Sequence, residues 1–577
     1  MELITHCIRK HPMLSTFYLW LWLFFTFARF TTDEVSVINY VFSALLIILP
    51  FSLNELFLKK SKDNFKKHRK KRIAFTAVSV LYCELTLFLY SIIPGDKFGF
   101  CRNASVILFS GLIVIAAAII YFRIKKIYSV KKLIVLIFLV SLFFHLYFNL
   151  YSEFEIQMDL KYLCTEELPD GHMGYIRYLY NYFLPYQGDP RPYWQFYHPP
   201  LHHYLEALLL RAETLAGADL EVVVSNIKFL PLLYYMLTSV IMVKLCSLIN
   251  LKGMGKLITL AVCFFTPAFI FLANYANNDM LCVLFMTASF YLSLVWYKNR
   301  TFANIIKIAF CFGAGMLTKL SAWMIAVPIA IIFISALIEK LKEKEFKAFG
   351  KLMGEMGAFL VIAAPLSLYW SLRNYFRFGV PIGFIPVSDA DYMRIDKEPL
   401  QRLFDFIPHQ FRHAFVEDIS GGDYVEYNPL IALIKSSSVN LYINKSFGSP
   451  FDTLNLIAFY ITIIVSLAAF VCMVYLILKK NSLPFVLRLA AVGLYLTVFI
   501  CYYVFCIKYP SSCTENSRYA TQLIVIGAFS LGMVYNKIRK RKKLRKSVLI
   551  LTAAYCLFSV LPFIADGLWI TLYFKML

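Results

Sequence analysis

The sequence is poor in charge. Only 16% of its 577 residues are Asp, Glu, Lys or Arg, whereas 60% are hydrophobic and 17% are aromatic. A water-soluble domain needs considerably more charge to cover its surface, so this composition excludes a soluble protein and predicts a chain that resides in lipid. The formal charge of +23 does not indicate a nucleic-acid-binding protein, because the basic residues form short runs between apolar stretches instead of a polar face interleaved with aromatics.

Several other signals are missing from the sequence. Arg9 and Lys10 precede the first apolar run without a small-residue cleavage site, which favours a retained first span over a removed signal peptide. The sequence shows no internal repeat and no matched pair of Gly/Pro-broken helices, the pattern expected of many secondary transporters. It also lacks a compact metal motif such as HExxH.

Apolar runs near the length of a membrane span, about twenty residues, occur about fifteen times. They cover residues 13–30, 37–57, 73–93, 104–122, 133–150, 229–248, 257–273, 280–296, 305–317, 322–338, 353–370, 454–478, 483–506, 520–535 and 548–572. The sequence therefore predicts an all-α polytopic membrane protein.

Basic connections determine the expected orientation. The connections on one side are residues 59–72, 123–132, 340–351 and 537–546, and all are rich in Lys and Arg. The positive-inside rule places them in the cytoplasm with the N-terminus, and it places two long loops, 151–228 and 371–452, outside. The first four spans carry few polar residues, so residues 1–130 are expected to be an accessory segment ahead of a functional module, 131–577.

Cysteine gives little further information. Most of the thirteen cysteines lie in apolar runs, where a thiol is usually a packing residue. Cys101, Cys164 and Cys513 lie in or beside outside loops, where a disulfide could form, although the sequence indicates no pairing.

The first outside loop combines two helical patterns. In residues 174–184 the apolar positions are Tyr175, Ile176, Leu179 and Tyr180, and in residues 201–215 they are Leu205, Leu208, Leu209 and Leu215. Both patterns predict amphipathic helices lying along the membrane surface. Pro199 and Pro200 are suited to start the second helix.

The same loop holds the densest set of reactive side chains. The acids are Glu153, Glu155, Asp159, Glu166, Glu167, Asp170 and Asp189, and they accompany His172, His198, His202 and His203. A carboxylate just outside the bilayer could act as a general base toward a hydroxyl acceptor, with Asp170 and His172 as the best candidates. The alternative is that these groups are solvated loop charges. Several acids with His198, His202 and His203 could also hold a divalent metal.

Charged residues at the predicted outer span ends form a second candidate set. Asp279 begins the eighth span, Lys319 occupies a tight turn, Arg373 follows the eleventh span, and Arg518 with Tyr519 precedes the fourteenth. Such residues are costly at the edge of the hydrocarbon unless they anchor at the interface or have a function. Cations supplied by three outer connections are suited to a lipid phosphate or pyrophosphate.

Five short motifs resemble those of GT-C glycosyltransferases, the relatives of protein mannosyltransferases and of the aminoarabinose transferase that use polyprenyl-phosphate sugars. They are Pro169-Asp170-Gly171-His172, Tyr197-His198-Pro199-Pro200, Asn277-Asn278-Asp279, Leu317-Thr318-Lys319 and Arg373-Asn374. Each motif is weak alone, whereas their order and their common outside placement are moderately specific. The usual acidic pair of the first loop is Asp170-Gly171 here, so the base could instead be Asp159 or Glu167.

This resemblance implies a bundle of about 11 transmembrane helices preceded by about 4 accessory helices. It implies an enzyme in the cell membrane that transfers a sugar with inversion from a polyprenyl-phosphate carrier to an extracytoplasmic glycan, lipid or protein. The expected catalytic residues are Asp170, Asp159 and His172. The expected substrate-binding residues are His198, Asn278, Asp279, Lys319, Arg373, Arg518 and Tyr519. Two alternatives remain: a transporter or flippase of a lipid-linked glycan, and a structural scaffold.

Overall fold

Long apolar helices dominate the described part of the chain. The computed structural model describes residues 100–126, 129–151, 171–215, 224–386, 394–406, 426–438, 451–479, 483–511 and 514–576. The α-helices are α1 Phe100–Ile124, α2 Val130–Tyr151, α3 Gly171–Tyr182, α4 Leu201–Leu215, α5 Phe229–Leu248, α6 Gly253–Phe265, α7 Pro267–Leu272, α8 Asp279–Lys298, α9 Phe302–Thr318, α10 Ala326–Lys342, α11 Phe346–Phe378, α12 Pro399–Phe404, α13 Pro429–Ser438, α14 Phe451–Leu478, α15 Phe485–Lys508, α16 Thr521–Lys537 and α17 Lys542–Met576. Short 3-10 turns cover Val224–Lys228, Leu320–Ile325 and Ser517–Tyr519.

Eight helical segments of the described residues are long and apolar enough to cross a membrane. They are Val130–Asn149, Phe229–Leu248, Asp279–Lys298, Leu320–Lys342, Phe346–Phe378, Thr453–Leu478, Phe485–Lys508 and Lys542–Ala565. Shorter apolar helices cover Leu108–Ile124, Gly253–Phe265 and Phe302–Thr318. The chain is a multi-pass integral membrane protein, which confirms the predicted all-α polytopic class.

One expected span is broken into two helices. Residues 257–273 were expected to cross as one run, but α6 ends at Phe265 and α7 begins at Pro267. The cause is Pro267, which lacks an N–H and moves the residue before it out of the helical region, so Thr266 has φ −63° and ψ 124°. By contrast, α5 covers the whole predicted run 229–248. The runs 13–30, 37–57 and 73–93 lie outside the described residues.

The chain divides into two units, residues 1–127 with 567–577, and residues 128–566. The accessory role of residues 1–130 stays a prediction. In the second unit α9 packs against α8 and α11 around a core that includes Trp296, Ile308 and Ile332. The helices α6 and α16 approach closely at Gly532, which has no Cβ. A Cβ added there would lie 2.1 Å from the Thr259 hydroxyl oxygen, so only glycine permits this contact.

Candidate functional site

Two helices of the first loop build one side of the site. The helix α3 begins at Gly171, which has a left-handed φ of +84° and donates its N–H to the Trp194 carbonyl at 3.0 Å. The helix α4 begins at Leu201 after the two prolines, and the Pro200 carbonyl accepts the Tyr204 N–H at 2.9 Å. The two predicted helices are therefore confirmed, although the first covers Gly171–Tyr182 instead of 174–184. They pack against each other.

The buried face of α4 differs from the leucine pattern that predicted the helix. Leu208 is 45% exposed and Leu215 is 87% exposed. The buried face instead carries His202, His203, Glu206, Ala207, Leu210 and Glu213. The interior in contact with α4 includes polar helix ends, which accounts for the polar residues on this face. Leu208 and Leu215 face outward, as is usual for a chain surrounded by lipid. The sequence signal for this face was the helical spacing of His202, Glu206 and Glu213, which the leucine pattern obscured.

Glu206 is the most unusual group on this face. Its side chain is fully buried, and neither carboxylate oxygen has a hydrogen-bond partner. The nearest ring nitrogen, His202 Nε2, lies 3.7 Å from Oε1, and Glu213 and Tyr234 are its other charged or titratable neighbours. Burial, followed by the charge of Glu213, raises the pKa of Glu206 well above its ordinary value. Burial therefore favours the protonated form of this carboxyl in the folded protein.

Replacing Glu206 with Gln should stabilise the protein more at pH 8 than at pH 5. The pKa of Glu206 is higher in the folded protein than in the unfolded chain, so the carboxyl binds its proton more tightly when the protein is folded. As pH rises above the ordinary pKa, the unfolded chain releases this proton first, and the folded state loses stability relative to it. Removing the carboxyl therefore helps most at high pH. The gain at pH 8 should be about 1.4 kcal/mol for each unit by which the fold raises the Glu206 pKa toward pH 8, because the glutamine side chain does not ionise. Thermal unfolding in nanodiscs at both pH values measures it, with exposed Glu339→Gln as the control. A larger destabilisation at pH 8 would show that Glu206 is ionised and paired.

Three imidazoles form a histidine cluster, defined as His172, His198 and His203. His172 Nδ1 lies 2.9 Å from His203 Nε2, so one of these nitrogens donates to the other. The His172 ring stacks on His198 at 5.8 Å and on His203 at 5.2 Å, with interplanar angles of 7° and 11°. All three are buried. Burial is the main cause that lowers each pKa well below its ordinary value, so the rings are neutral hydrogen-bonding groups.

Helix ends supply the other side of the site. Lys319 lies between α9 and the 3-10 turn Leu320–Ile325, and its Nζ donates to Asp279 Oδ1 at 2.5 Å. Asp279 is the first residue of α8, and its Oδ2 is buried with no hydrogen-bond partner. Asn278 ties the two helix ends together, because its Nδ2 donates to the Thr318 carbonyl at 3.0 Å. The Asn-Asn-Asp element and the Lys319 turn are thus one structural unit.

Tyr519 brings the two cations together. Lys319 Nζ lies 4.7 Å from the centroid of the Tyr519 ring, and the Arg518 guanidinium lies 4.9 Å from it. Arg518 also donates to the Tyr519 hydroxyl at 2.9 Å. The charges of Lys319 and Arg518 both lower the pKa values of His172 and His198, so the cations lie near the histidine cluster. Lys319, Asp279, Arg518, Tyr519, His172 and His198 therefore form one group of side chains, which we call the outer cluster.

Arg373 has a different set of partners. Its guanidinium donates to the Tyr186 carbonyl at 2.5 Å and stacks on Trp370 at 4.8 Å. Trp370 in turn donates to the Tyr197 carbonyl at 2.9 Å. Arg373 thus binds the segment between α3 and α4 to the end of α11. Its role in binding a phosphate stays a prediction.

The proposed bases lie outside the described residues. Asp170, Asp159 and Glu167 all belong to residues 152–170. Within the described part of the chain, no group of three His, Cys, Asp or Glu side chains is arranged to hold a metal ion. The three cysteines considered for a disulfide also lie outside the described side chains.

The second long loop, residues 371–452, supplies a support that the sequence did not predict. Arg402 of α12 is buried and forms an ion pair with Glu515, and it donates to the Cys506 carbonyl at 3.0 Å. Glu515 precedes Asn516, whose side chain accepts the Arg518 N–H at 3.0 Å. Ser517 donates its N–H to the Ser436 hydroxyl of α13 at 2.8 Å. The short turn that carries Arg518 is therefore held by two helices of the second loop.

Replacing Arg402 with Met should unfold the protein at a lower temperature and displace Arg518. The variant leaves Glu515 buried without its counter-ion, which costs about 3–5 kcal/mol. The double variant Arg402→Met/Glu515→Met should recover part of that stability. Arg300→Gln, which breaks an exposed ion pair with Glu339, is the matched control and should cost at most about 1 kcal/mol. Equal losses in the single and double variants would contradict this role for the ion pair.

Comparison with known proteins gives two similar solved structures. ArnT from Cupriavidus metallidurans bound to undecaprenyl phosphate superposes with a TM-score of 0.42 and 13% identity, over 76% of this chain and 77% of that one. An oligosaccharyltransferase from Archaeoglobus fulgidus in the apo form gives a TM-score of 0.43 and 12% identity, over 76% of this chain and 56% of that one. No protein-family model and no curated protein sequence matches the chain.

Proposed function

We propose that this chain is a membrane glycosyltransferase that transfers a sugar from a polyprenyl-phosphate carrier to an acceptor on the extracytoplasmic side. One observation carries the proposal. Lys319 and Arg518 lie on the same tyrosine ring, beside the neutral imidazoles of His172 and His198. This is a cationic site with additional uncharged hydrogen-bonding groups, located at the ends of apolar helices.

The charge of the outer cluster is suited to a phosphate diester. Asp279 pairs with Lys319, the histidines are neutral, and Arg518 adds a second cation beside them. Arg can hold a phosphate through two parallel hydrogen bonds, and Lys holds it as a compact charge. A lipid phosphate can reach such a site from the bilayer while its tail stays among the apolar helices.

Helix direction supports an extracytoplasmic site. The segment Leu320–Lys342 begins beside Lys319 and ends in a basic connection, with Lys340 and Lys342 in its last turn. The helix α16 likewise begins after Arg518 and ends at Lys537, before Arg539, Lys540 and Arg541. The outer cluster is thus at the helix ends opposite the basic connections, which the positive-inside rule places in the cytoplasm.

The proposed reaction is a single displacement. A carboxylate of residues 152–170, Asp170 or Asp159, accepts the proton of the acceptor hydroxyl, and the acceptor oxygen bonds to the anomeric carbon. The bond from that carbon to the phosphate oxygen breaks on the opposite face, which gives inversion. Lys319 and Arg518 stabilise the negative charge that develops on the leaving polyprenyl phosphate. His172 and His198 are suited to donate hydrogen bonds to the sugar or the phosphate.

Product release separates this proposal from the transport alternative. Purified protein in detergent is mixed with a panel of synthetic polyprenyl-phosphate sugars and a membrane extract as the source of acceptors, and free polyprenyl phosphate is measured. The proposal predicts its release together with transfer of the labelled sugar. A flippase would move the same lipids across liposomes without releasing polyprenyl phosphate, and that result would overturn the proposal.

A further inference from the structure

An apolar crevice lies toward the other end of the 128–566 unit. It is a partly open crevice between α5, α8, α14, α15 and α16. Its walls are formed by apolar side chains, including Leu245, Leu294, Leu476, Leu487 and Phe529. The crevice lies toward the ends of α5, α8 and α14 and the start of α15, whereas the outer cluster lies at the start of α8 and just before α16. It is therefore distinct from the candidate active site.

One cationic side chain lines this apolar crevice. Arg488 donates through Nη1 to the carbonyls of Leu476 at 3.0 Å, Ile477 at 3.1 Å and Lys479 at 3.1 Å. These carbonyls belong to the last turn of α14 and the residue after it. The Nε atom of the same guanidinium is buried and has no hydrogen-bond partner. The Nε–H of Arg488 is thus unused at the edge of an apolar space.

A second cation lies close to Arg488. The ammonium group of Lys537, at the end of α16, lies 5.5 Å from the centroid of the Tyr475 ring, and Tyr475 directly precedes Leu476, whose carbonyl accepts from Arg488. Two like charges held near each other at the membrane boundary repel, so an anion between them would be stabilised. The neighbouring connection after α16 is also basic, with Arg539, Lys540 and Arg541.

We propose that this crevice binds one acyl chain of an anionic phospholipid, with Arg488 and Lys537 holding its phosphate. An apolar space between membrane helices is filled by hydrocarbon, and a basic pocket at the cytoplasmic ends of such helices is suited to an anionic head group. The basic connections make this the cytoplasmic leaflet. The site does not depend on the proposed sugar transfer. One bound lipid would contact all five helices that line the crevice.

The test uses the full chain purified in detergent and titrated with palmitoyl-oleoyl phosphatidylglycerol, with phosphatidylcholine as the reference lipid. Thermal unfolding and native mass spectrometry give the apparent affinity. We expect phosphatidylglycerol to bind more tightly, and Arg488→Gln and Lys537→Gln each to weaken it about fivefold, the usual effect of one basic residue near a lipid surface. Arg300→Gln, a basic residue outside the crevice, should bind as the wild type does.

Two variants that spare Arg488 keep the test informative, because Arg488 also caps α14 and its loss could weaken the fold. Lys537→Gln leaves that cap intact, and Ala491→Phe fills the crevice without changing any charge. Equal affinity for both phospholipids, or wild-type affinity in Ala491→Phe, would overturn the proposal. Displacement of phosphatidylglycerol by undecaprenyl phosphate, with Arg488→Gln weakening both, would identify the carrier lipid as the occupant and would also overturn it.

Discussion

Replacing Lys319 with Gln is expected to lower kcat about 100- to 1000-fold, the usual loss when one preorganised group that stabilises transition-state charge is removed. Lys319 is the cation that the ends of α8 and α9 hold in place through Asp279 and the Asn278 bridge. The same substitution leaves Asp279 buried without a counter-ion, which should cost about 3–5 kcal/mol of stability. Steady-state release of polyprenyl phosphate measures the first effect, and thermal unfolding measures the second.

A paired variant separates the two effects. In Lys319→Gln/Asp279→Asn both charges are absent, so much of the stability should return. Turnover should stay low, because the phosphate still lacks its cation. Lys256→Gln, an exposed lysine that donates to the Ser247 hydroxyl, is the control for loss of one positive charge. Near wild-type turnover in the paired variant would show that Lys319 serves only to neutralise Asp279.

Loss of the general base should lower turnover about 100- to 10,000-fold. The candidates are Asp170, which directly precedes the first residue of α3, and Asp159. His172 of the histidine cluster is two residues after Asp170 in sequence. Asp170→Asn and Asp159→Asn change a carboxylate to an amide of the same shape, so one of them should lose transfer while its affinity for undecaprenyl phosphate is unchanged.

Glu167→Gln completes this set, since the sequence leaves a third acid in the same segment. Sugar transfer by each purified variant at saturating donor identifies the base. If all three variants keep near wild-type turnover, none of these acids takes the acceptor proton, and the proposed displacement lacks its base.

Helix positions could be predicted well where the length of an apolar run or the spacing of apolar residues alone determines them. The run 229–248 forms a helix over its full length, and residues 201–215 form α4 with the predicted bounds. The predicted single span over residues 257–273 fails at Pro267. The length and hydropathy of an apolar run do not register that proline lacks the N–H needed to continue α6. The polar residues on the buried face of α4 were not predicted, for a related reason. Hydrophobic periodicity assumes an apolar interior, whereas the interior next to α4 includes polar groups as well as the apolar core around Ala207 and Leu210.

The candidate site was predictable in part. Asp279, Lys319 and Arg518 were expected together because each stands at an outer helix end, and the structure brings them together around Tyr519. Arg373 was expected with them, but its contacts are to Tyr186 and Trp370. The ion pair of Arg402 with Glu515 joins residues 113 positions apart. Such a pair depends on how the loops fold over the helix ends, which no local pattern records.

The position of a bound carrier phosphate tests the central claim most directly. A structure of the purified full chain with undecaprenyl phosphate should show the phosphate within hydrogen-bond distance of both Lys319 and Arg518, with the histidine cluster beside it. The tail should leave between the membrane helices. A phosphate bound away from these two cations, or at the end of the bundle that carries Lys340 and Lys537, would contradict the account.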